Sequence, residues 1–226
     1  MPNALITGGS RGFGRELARA LGETGWTVTI DGRTAATVRE ATEPPTGSLH
    51  GVVGTVRDHD HRVELARRAG DLDLLVNNAS SLGPSPLRDL ASLAPSDLHE
   101  VFDTNLVSPL ALIGLLLPGL RARAGIVVNI SSDAAVEAYP GWGAYGASKA
   151  GLDHAGLVLA AEFPDIAVYS FDPGDMRTDM HQAAFPGEDI SDRPLPESVV
   201  PALMRLIETR PPSGRYTAAQ MMSEAT

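Results

Sequence analysis

The sequence contains no cysteine, only one lysine and no run of basic residues. Without cysteine there can be no disulfide, thiolate nucleophile or zinc-thiolate site, and this absence is typical of a reducing cytoplasm, where we expect the protein. The formal net charge of −10 argues against binding to nucleic acid, which clustered Lys and Arg drive. The other 17 of the 18 basic residues are arginine, so the single ammonium, at Lys149, needs a reason.

Neither an export signal nor a membrane partner is expected. The first six residues run into an apolar segment and a glycine turn without the basic region and cleavage site of a signal peptide. The most apolar stretch, 106–120, is shorter than the ~18 residues that a spanning helix needs. It is also interrupted by Pro109 and Pro118. It predicts a helix buried in protein.

Short β-branched runs alternate with longer segments of helical period. Strands are predicted at 4–7, 27–30, 52–56, 72–76, 126–130, 167–171 and 216–218, and helices at 12–23, 35–41, 60–69, 96–117, 145–162 and 196–208. This alternation predicts a single α/β domain over 1–226 with a doubly wound Rossmann fold, in which helices cover both faces of a parallel sheet of about seven strands. The longest irregular stretch, about 175–196, is a candidate lid over the crevice at the carboxyl ends of the strands.

The first predicted strand leads into the glycine-rich turn "TGGSRGFG" at 7–14. Gly8, Gly12 and Gly14 permit positive φ and close backbone approach, and the following helix offers free N–H groups to a pyrophosphate. The spacing differs from the commoner Gly-x-Gly-x-x-Gly fingerprint, and a purely structural turn is the alternative. Its position after the first strand favours a dinucleotide.

Charges after the second predicted strand bear on which dinucleotide is bound. An acidic residue there would accept bonds from a ribose 2′-hydroxyl, whereas arginines suit a 2′-phosphate. The segment "TIDGRT" offers Asp31 and Arg33, and the glycine turn adds Arg11. Because side chains alternate along a strand, Asp31 and Gly32 point to opposite faces, and Asp31 need not face the ribose. NADP(H) is therefore preferred and NAD(H) is possible; arginines merely solvated at the rim are the alternative.

Tyr145 and Lys149 are four residues apart and share a face if a helix begins near 145. A phenol, with a pKa of about 10, transfers protons poorly at neutral pH unless its anion is stabilised. A nearby ammonium does this and can also donate to ribose hydroxyls, a role that the wide fork of arginine does not replace. An exposed helical pair is the alternative, but the small residues that flank Tyr145, at 143–144 and 146–148, let another group approach closely.

Five motifs in order resemble the short-chain dehydrogenase/reductase family, in its compact single-domain branch. They are "TGGSRGFG" at 7–14, "NNAS" at 77–80, "NISS" at 129–132, "YGASK" at 145–149 and "PGDMRT" at 173–178. The resemblance covers nearly the whole chain. It implies a catalytic set of four residues: Ser132, Tyr145, Lys149 and Asn105. Ser132 rather than Ser131 has the usual family interval to Tyr145 and would orient a carbonyl, and Asn105 would hold a water in the proton relay.

The resemblance also implies the cofactor contacts. Asn77 would brace the sheet near the nicotinamide ribose, and Pro173, Gly174 and Thr178 would hold the nicotinamide. The full expected set is Gly8, Ser10, Arg11, Gly12, Phe13, Gly14, Arg33, Thr55, Asn77, Ala79, Tyr145, Lys149, Pro173, Gly174, Met176 and Thr178. No metal site is expected, because "DHDH" at 58–61 is typical of an acidic helix start with exposed histidines.

The sequence departs from the family pattern at three places. Thr55, with Asp58 three residues on, stands where an acidic residue usually contacts adenine. Ser80 replaces the usual glycine and narrows the space beside the cofactor. The C-terminus lacks the glycine-ended strand of tetrameric members. The apolar helices at 96–117 and 145–162 carry more hydrophobic surface than a sheet face needs, and the resemblance implies that they pair in a homodimer or homotetramer.

The predicted function is an NADP(H)-dependent oxidoreductase that interconverts a carbonyl and an alcohol by hydride transfer, with Tyr145 as acid and base. Its partner would be a largely apolar small molecule bound between 134–142, 81–87 and the lid. A non-catalytic NADP(H)-binding sensor is the first alternative. A nucleotide-sugar epimerase or dehydratase is less favoured, because the larger C-terminal substrate region of those enzymes is not seen in 226 residues.

Overall fold

A computed structural model describes residues 1–43 and 48–223. Its parallel strands form one seven-stranded sheet in the order β3-β2-β1-β4-β5-β6-β7. The strands are β1 Asn3–Ile6, β2 Thr27–Gly32, β3 Leu49–Val53, β4 Leu74–Asn77, β5 Ile126–Ile130, β6 Ala167–Asp172 and β7 Gly214–Thr217. The predicted doubly wound Rossmann fold is confirmed, and the order of the strands reverses between β1 and β4.

The helices lie on both faces of the sheet. They are α1 Gly12–Glu23, α2 Ala35–Ala41, α3 His59–Ala69, α4 Pro95–Phe102, α5 Ser108–Ala122, α6 Gly143–Glu162, α7 Asp179–Ala184, α8 Pro196–Thr209 and α9 Ala218–Ser223. Successive residues of β1 enter different cores: Ile6 packs with Leu17 of α1 and Leu203 of α8, whereas Leu5 packs with α3 and α5. Both faces of the central strands are therefore buried, and only their ends are open to a ligand.

Strand and helix bounds differ most from the prediction near α2 and at the C-terminus. β3 begins three residues earlier than predicted, because Leu49 pairs with Val28 and Gly51 leaves room for Val38 of α2. β7 begins at Gly214, and Ala218, predicted as strand, starts a helix. The short helix α7 lies inside the predicted lid and was not predicted.

The apolar segment from Pro95 to Ala122 is one continuous helical stretch. A π-helical turn at Asp103–Val107 joins α4 to α5, and Pro118 lies inside α5, so the expectation that the prolines interrupt the run is wrong. In a regular helix Pro109 could not donate to the carbonyl of Asn105, and the wider turn accommodates this missing bond.

By length and composition alone this 28-residue segment could cross a membrane, so the expectation that it is too short is also wrong. It is weak evidence for a span, because core helices of soluble proteins pass the same test. Leu112, Ile113 and Leu116 lie in the core, while 39% of the apolar window is buried. One face of this helical segment therefore packs in the core, and much of the rest is not buried.

Candidate active site

A crevice of about 1000 Å³ opens at the carboxyl ends of the strands. The glycine turn after β1 forms one wall, and the segments that follow β4, β5 and β6 form the floor and the opposite wall. This is the edge at which open parallel sheets bind ligands.

The glycine turn lies directly against the segment after β4. Gly8 and Gly12 have φ of +63° and +55°, which favour glycine. A Cβ on Gly8 would lie 2.9 Å from the Cα of Ala79, and one on Gly14 would lie 2.5 Å from Nδ2 of Asn78. No side chain caps the first turn of α1 at Arg11, so its N–H groups are available to an anion.

Asp31 is buried and bonded to the glycine turn. Its Oδ1 accepts from the N–H of Gly8 at 2.6 Å, and its Oδ2 lies 2.9 Å from Nε2 of His61. The His61 side chain is only 8% exposed, so the expectation of exposed histidines is wrong for His61 and holds for His59. The reason is Gly54, whose missing Cβ leaves room for the imidazole ring.

The predicted nucleotide contacts at this end of the crevice lie along its rim. Ser10, Arg33 and Thr55 line it, and the guanidinium of Arg11 lies 3.6 Å from the carboxylate of Asp179 in α7. Asp58, three residues after Thr55, caps α3 by accepting from the N–H of His61 at 3.0 Å.

Tyr145 and Lys149 lie on one face of α6, which begins two residues before the tyrosine. The Nζ of Lys149 is 5.5 Å from the centre of the tyrosine ring and donates to the carbonyl of Ile130 at 2.8 Å. The hydroxyls of Ser132 and Ser80, which donate to Asp133 Oδ1 at 3.0 Å and to Asn105 Oδ1 at 3.1 Å, are close enough to the Tyr145 hydroxyl to act on its pKa. A Cβ on Gly146 would lie 2.5 Å from the carbonyl oxygen of Ala134, so only glycine lets α6 approach the segment after β5 this closely.

Burial dominates the electrostatics of this pair. It raises the pKa of Tyr145 above its ordinary value; the hydroxyls of Ser132 and Ser80 oppose the rise, and the charges of Asp172 and Asp133 add to it. Burial also lowers the pKa of Lys149 to about 8, against the charge of Asp153. In the protein alone, therefore, the ammonium does not bring the pKa of the phenol down as the sequence led us to expect.

Asn105 is fully buried in the π-helical turn and bonds to two segments of the site. Its Oδ1 accepts from Ser80 Oγ at 3.1 Å and from Ser81 N at 2.8 Å. Its Nδ2 donates to the Ser81 carbonyl and to Ser148 Oγ, both at 2.9 Å. Asn105 thereby ties α6 to the segment after β4, and Ser80 connects it to Tyr145.

The amide that faces the crevice belongs to Asn78 rather than to Asn77. Asn77 is buried and donates to Asn129 Oδ1 at 2.9 Å, which joins β4 to β5 but leaves Asn77 outside the crevice lining. Asn78 lines the crevice and donates to the carbonyl of Thr7 at 2.9 Å. Neighbouring residues point to opposite sides at a strand end, and the motif alone did not distinguish the two.

The segment after β6 carries the remaining predicted contacts. Gly174 has a φ of +72°, and its N–H donates to Asp172 Oδ1 at 3.0 Å. Thr178 caps α7 by accepting from the N–H of His181 at 3.2 Å. The rest of the predicted set on this side lines the same crevice: Phe13, Pro173 and Met176.

A chain of ring contacts leads from Tyr145 to the predicted lid. The Trp142 ring lies 5.5 Å from the Tyr145 ring and 6.0 Å from that of Phe185, which in turn lies 5.0 Å from His181. The predicted lid supplies Phe185 and His181. Sequence reasoning missed His61 and the arginine of β7, Arg215, because their partners lie far away along the chain. It also missed His181, whose contacts with Asp175 and Phe185 lie within the lid.

Comparison with known proteins gives consistent matches. The model of the family described as short chain dehydrogenase matches residues 2–189. Sepiapterin reductase of Xenopus laevis is 34% identical over 198 residues, covering 80% of this chain and 75% of that protein. Serine 3-dehydrogenase of Agrobacterium fabrum is 36% identical over 183 residues, covering 77% of this chain and 72% of that protein. A solved short chain dehydrogenase from Shigella flexneri complexed with NADP is 28% identical, with a TM-score of 0.89 and coverage of 96% and 97%.

Proposed function

Because this chain belongs to the short chain dehydrogenase family, and is thus an oxidoreductase acting on CH–OH or C=O groups, we propose that it interconverts a carbonyl and an alcohol with NADP(H), using Tyr145 as acid and base. One observation carries the proposal. Tyr145 and Ser132 line the same crevice as the glycine turn, and the only ammonium side chain lies 5.5 Å from the centre of the Tyr145 ring.

The crevice fits a dinucleotide, since it has a volume of about 1000 Å³ and the start of α1, whose first N–H groups no side chain caps, lines it. Gly8, Gly12 and the N–H groups of α1 would hold the pyrophosphate, and the segment from Pro173 to Thr178 would hold the nicotinamide. When bound, the nicotinamide would supply a hydride to a carbonyl carbon or accept one from an alcohol carbon.

The protein's own groups handle the proton. The hydroxyls of Ser132 and Tyr145 would bond the substrate oxygen, and Tyr145 would donate its proton to that oxygen in reduction and take it back in oxidation. Lys149 would stabilise the phenolate left after donation. Asn105 holds the Ser80 hydroxyl in place, and that hydroxyl acts to lower the pKa of Tyr145.

NADP(H) is favoured over NAD(H) by the charges at the rim. Arg11 and Arg33 are exposed there and can bind a 2′-phosphate, whereas the oxygens of Asp31 are engaged by Gly8 and His61. The Shigella flexneri relative complexed with NADP supports the same preference.

The substrate proposed is a small carbonyl compound or alcohol with an apolar, flat portion. Trp142 lies beside Tyr145, Phe185 packs on Trp142, and Met180 lines the crevice, so this part of the site offers rings and a thioether. A homo-oligomer is also proposed, because Val107, Leu115, Leu157 and Val158 leave apolar surface exposed on the α5 and α6 segments.

The test is absorbance in the reduced-nicotinamide band. NADPH and NADH are each incubated with the protein and a panel of aldehydes, ketones, quinones and 3-oxoacyl thioesters, with 4-nitrobenzaldehyde as the aromatic aldehyde. Consumption of NADPH faster than NADH with at least one carbonyl is expected. Tight NADPH binding without consumption in any mixture would favour the sensor instead.

A further inference from the structure

Arg215 of β7 joins three segments of the active site. Its guanidinium donates to Asp172 Oδ2 at 2.8 Å, to the carbonyl of Ser132 at 3.0 Å and to Asp153 Oδ2 at 3.3 Å. Asp172 ends β6, Ser132 follows β5, and Asp153 lies on α6. Side-chain exposure is 27% for Arg215, 14% for Asp153 and 8% for Asp172, so water screens these charges only in part.

The register of the sheet explains why β7 reaches so far into the site. Arg215 pairs with Ser170, and Asp172 lies two residues further along β6 on the same face. A diagonal neighbour of this kind lies about 7–8 Å away, which a long arginine side chain can bridge. The same guanidinium also reaches the carbonyl of Ser132, which follows β5, and Asp153 of α6.

Each of the two carboxylates acts on one member of the Tyr145 and Lys149 pair. The charge of Asp172 raises the pKa of Tyr145, and the charge of Asp153 raises that of Lys149. Asp153 lies four residues after Lys149 on the same helix face, and its Oδ2 also accepts from the Ser131 hydroxyl at 2.7 Å.

We propose that Arg215 is a positioning residue of the reaction, which fixes the Ser132 backbone against Pro173 and Gly174 and neutralises the two carboxylates behind Tyr145 and Lys149. The inference rests on the proposed function, since it assigns a role in setting the proton affinity of the Tyr145 hydroxyl. Asp172 takes part in both the positioning and the neutralisation. Its Oδ2 accepts from Arg215, and its Oδ1 accepts from the N–H of Gly174.

Loss of Arg215 would leave Asp172 and Asp153 without their shared cation. The charged groups that act on Tyr145 are then Lys149 on its own helix, Asp172 at the end of β6 and Asp133 after β5. An unpaired Asp172 disfavours the phenolate, so the pKa of Tyr145 rises further. In alcohol oxidation, where Tyr145 must accept a proton, the acid limb of the rate profile moves to higher pH.

The experiment measures oxidation of 4-nitrobenzyl alcohol by NADP⁺ from about pH 6 to about pH 10 for wild type, Arg215→Met and Arg215→Lys. In Arg215→Met we expect the acid limb to move up by about one pH unit, with turnover near neutral pH down about tenfold. Arg215→Lys keeps the charge and is expected to stay near wild type. NADPH affinity, measured by fluorescence, should change less than about twofold, because Arg215 contacts none of the proposed phosphate-binding groups.

Rescue by a second variant separates this role from simple support of the fold. Adding Asp172→Asn to Arg215→Met removes the unpaired charge but keeps an oxygen for the N–H of Gly174, so the limb is expected to return toward wild type. Arg121→Met is the control. It removes an equally close ion pair, in which Arg121 Nε lies 2.7 Å from Asp165 Oδ2, at the amino end of β6 and away from the crevice.

A folded, NADPH-binding Arg215→Met protein with the wild-type limb would overturn the proposal, as would a shifted limb that Asp172→Asn does not restore. The proposed function fails by a different result, namely full turnover in Tyr145→Phe, which does not involve Arg215.

Discussion

The ammonium of Lys149 lies 5.5 Å from the centre of the Tyr145 ring, and both side chains are buried. A poorly solvated environment disfavours both the phenolate and the ammonium, which is why the pKa of the tyrosine rises and that of the lysine falls to about 8. Lys149 makes one hydrogen bond there, to the carbonyl of Ile130. The fold therefore holds this cation at a cost in stability, and the proposed chemistry accounts for its presence.

Replacement of Lys149 by methionine should stabilise the protein at pH 7. The folded pKa of about 8 lies below the ordinary value of 10.5, so between these values the unfolded chain binds more protons and wild-type stability rises with pH. Below about pH 8 Lys149 is charged in the folded wild type, so the full cost of burying the ammonium remains. We expect Lys149→Met to gain about 2 kcal/mol in free energy of unfolding at pH 7, after the lost hydrogen bond is allowed for.

Urea unfolding at pH 7 and near pH 10 measures this gain. The advantage of Lys149→Met over wild type should shrink at the higher pH, where the wild-type lysine is neutral in the fold. Tyr145→Phe, which keeps the lysine, is the control. A variant that is less stable than wild type at pH 7, or whose advantage does not change with pH, contradicts this account.

Replacement of Ser80 by alanine should slow turnover without loss of cofactor binding. The Ser80 hydroxyl donates to Asn105 Oδ1 at 3.1 Å and acts to lower the pKa of Tyr145. Its loss removes a polar group that stabilises the Tyr145 phenolate, and we expect turnover to fall about five- to tenfold. Ser81→Ala is the matched control, because its hydroxyl bonds to Glu100 while its backbone keeps the bonds to Asn105. Equal rates in the two variants would remove this role for Ser80.

Replacement of Arg33 by alanine should weaken NADPH binding selectively. The Arg33 side chain is exposed at the crevice rim near the expected 2′-phosphate, a group that NADH lacks. We expect the NADPH dissociation constant to rise about tenfold and that of NADH to change less than about twofold. Fluorescence titration with both nucleotides measures this, with Arg39→Ala on the exposed face of α2 as the control. A parallel loss for both nucleotides would count against a phosphate contact.

Much of the fold could be predicted from periodicity. The helices α1 and α2 were predicted to the residue, because each begins after a turn and keeps its apolar face in register with the core. The start of β3 was not, since it depends on pairing with Val28 and on the room that Gly51 leaves for α2. Short helices such as α7 carry too few turns for a periodic signal.

The candidate site, too, could be predicted only in part. Motifs placed Ser132, Tyr145 and Lys149 together because each follows a strand end or shares a helix face. They could not indicate the pair of Asp31 with His61, 30 residues apart, or that of Arg215 with Asp172, 43 residues apart. Such contacts depend on strand order and register, which local sequence does not encode.

The most direct measurement compares Tyr145→Phe with Tyr139→Phe. Both variants remove one phenolic hydroxyl, but that of Tyr139 bonds to Asp133 at 3.0 Å on the exposed loop after β5. With NADPH and any carbonyl that the wild type reduces, Tyr145→Phe should lose about a thousandfold in turnover with NADPH affinity unchanged, and Tyr139→Phe should keep most of its activity. Comparable turnover in Tyr145→Phe and wild type would contradict the proposal that Tyr145 moves the proton.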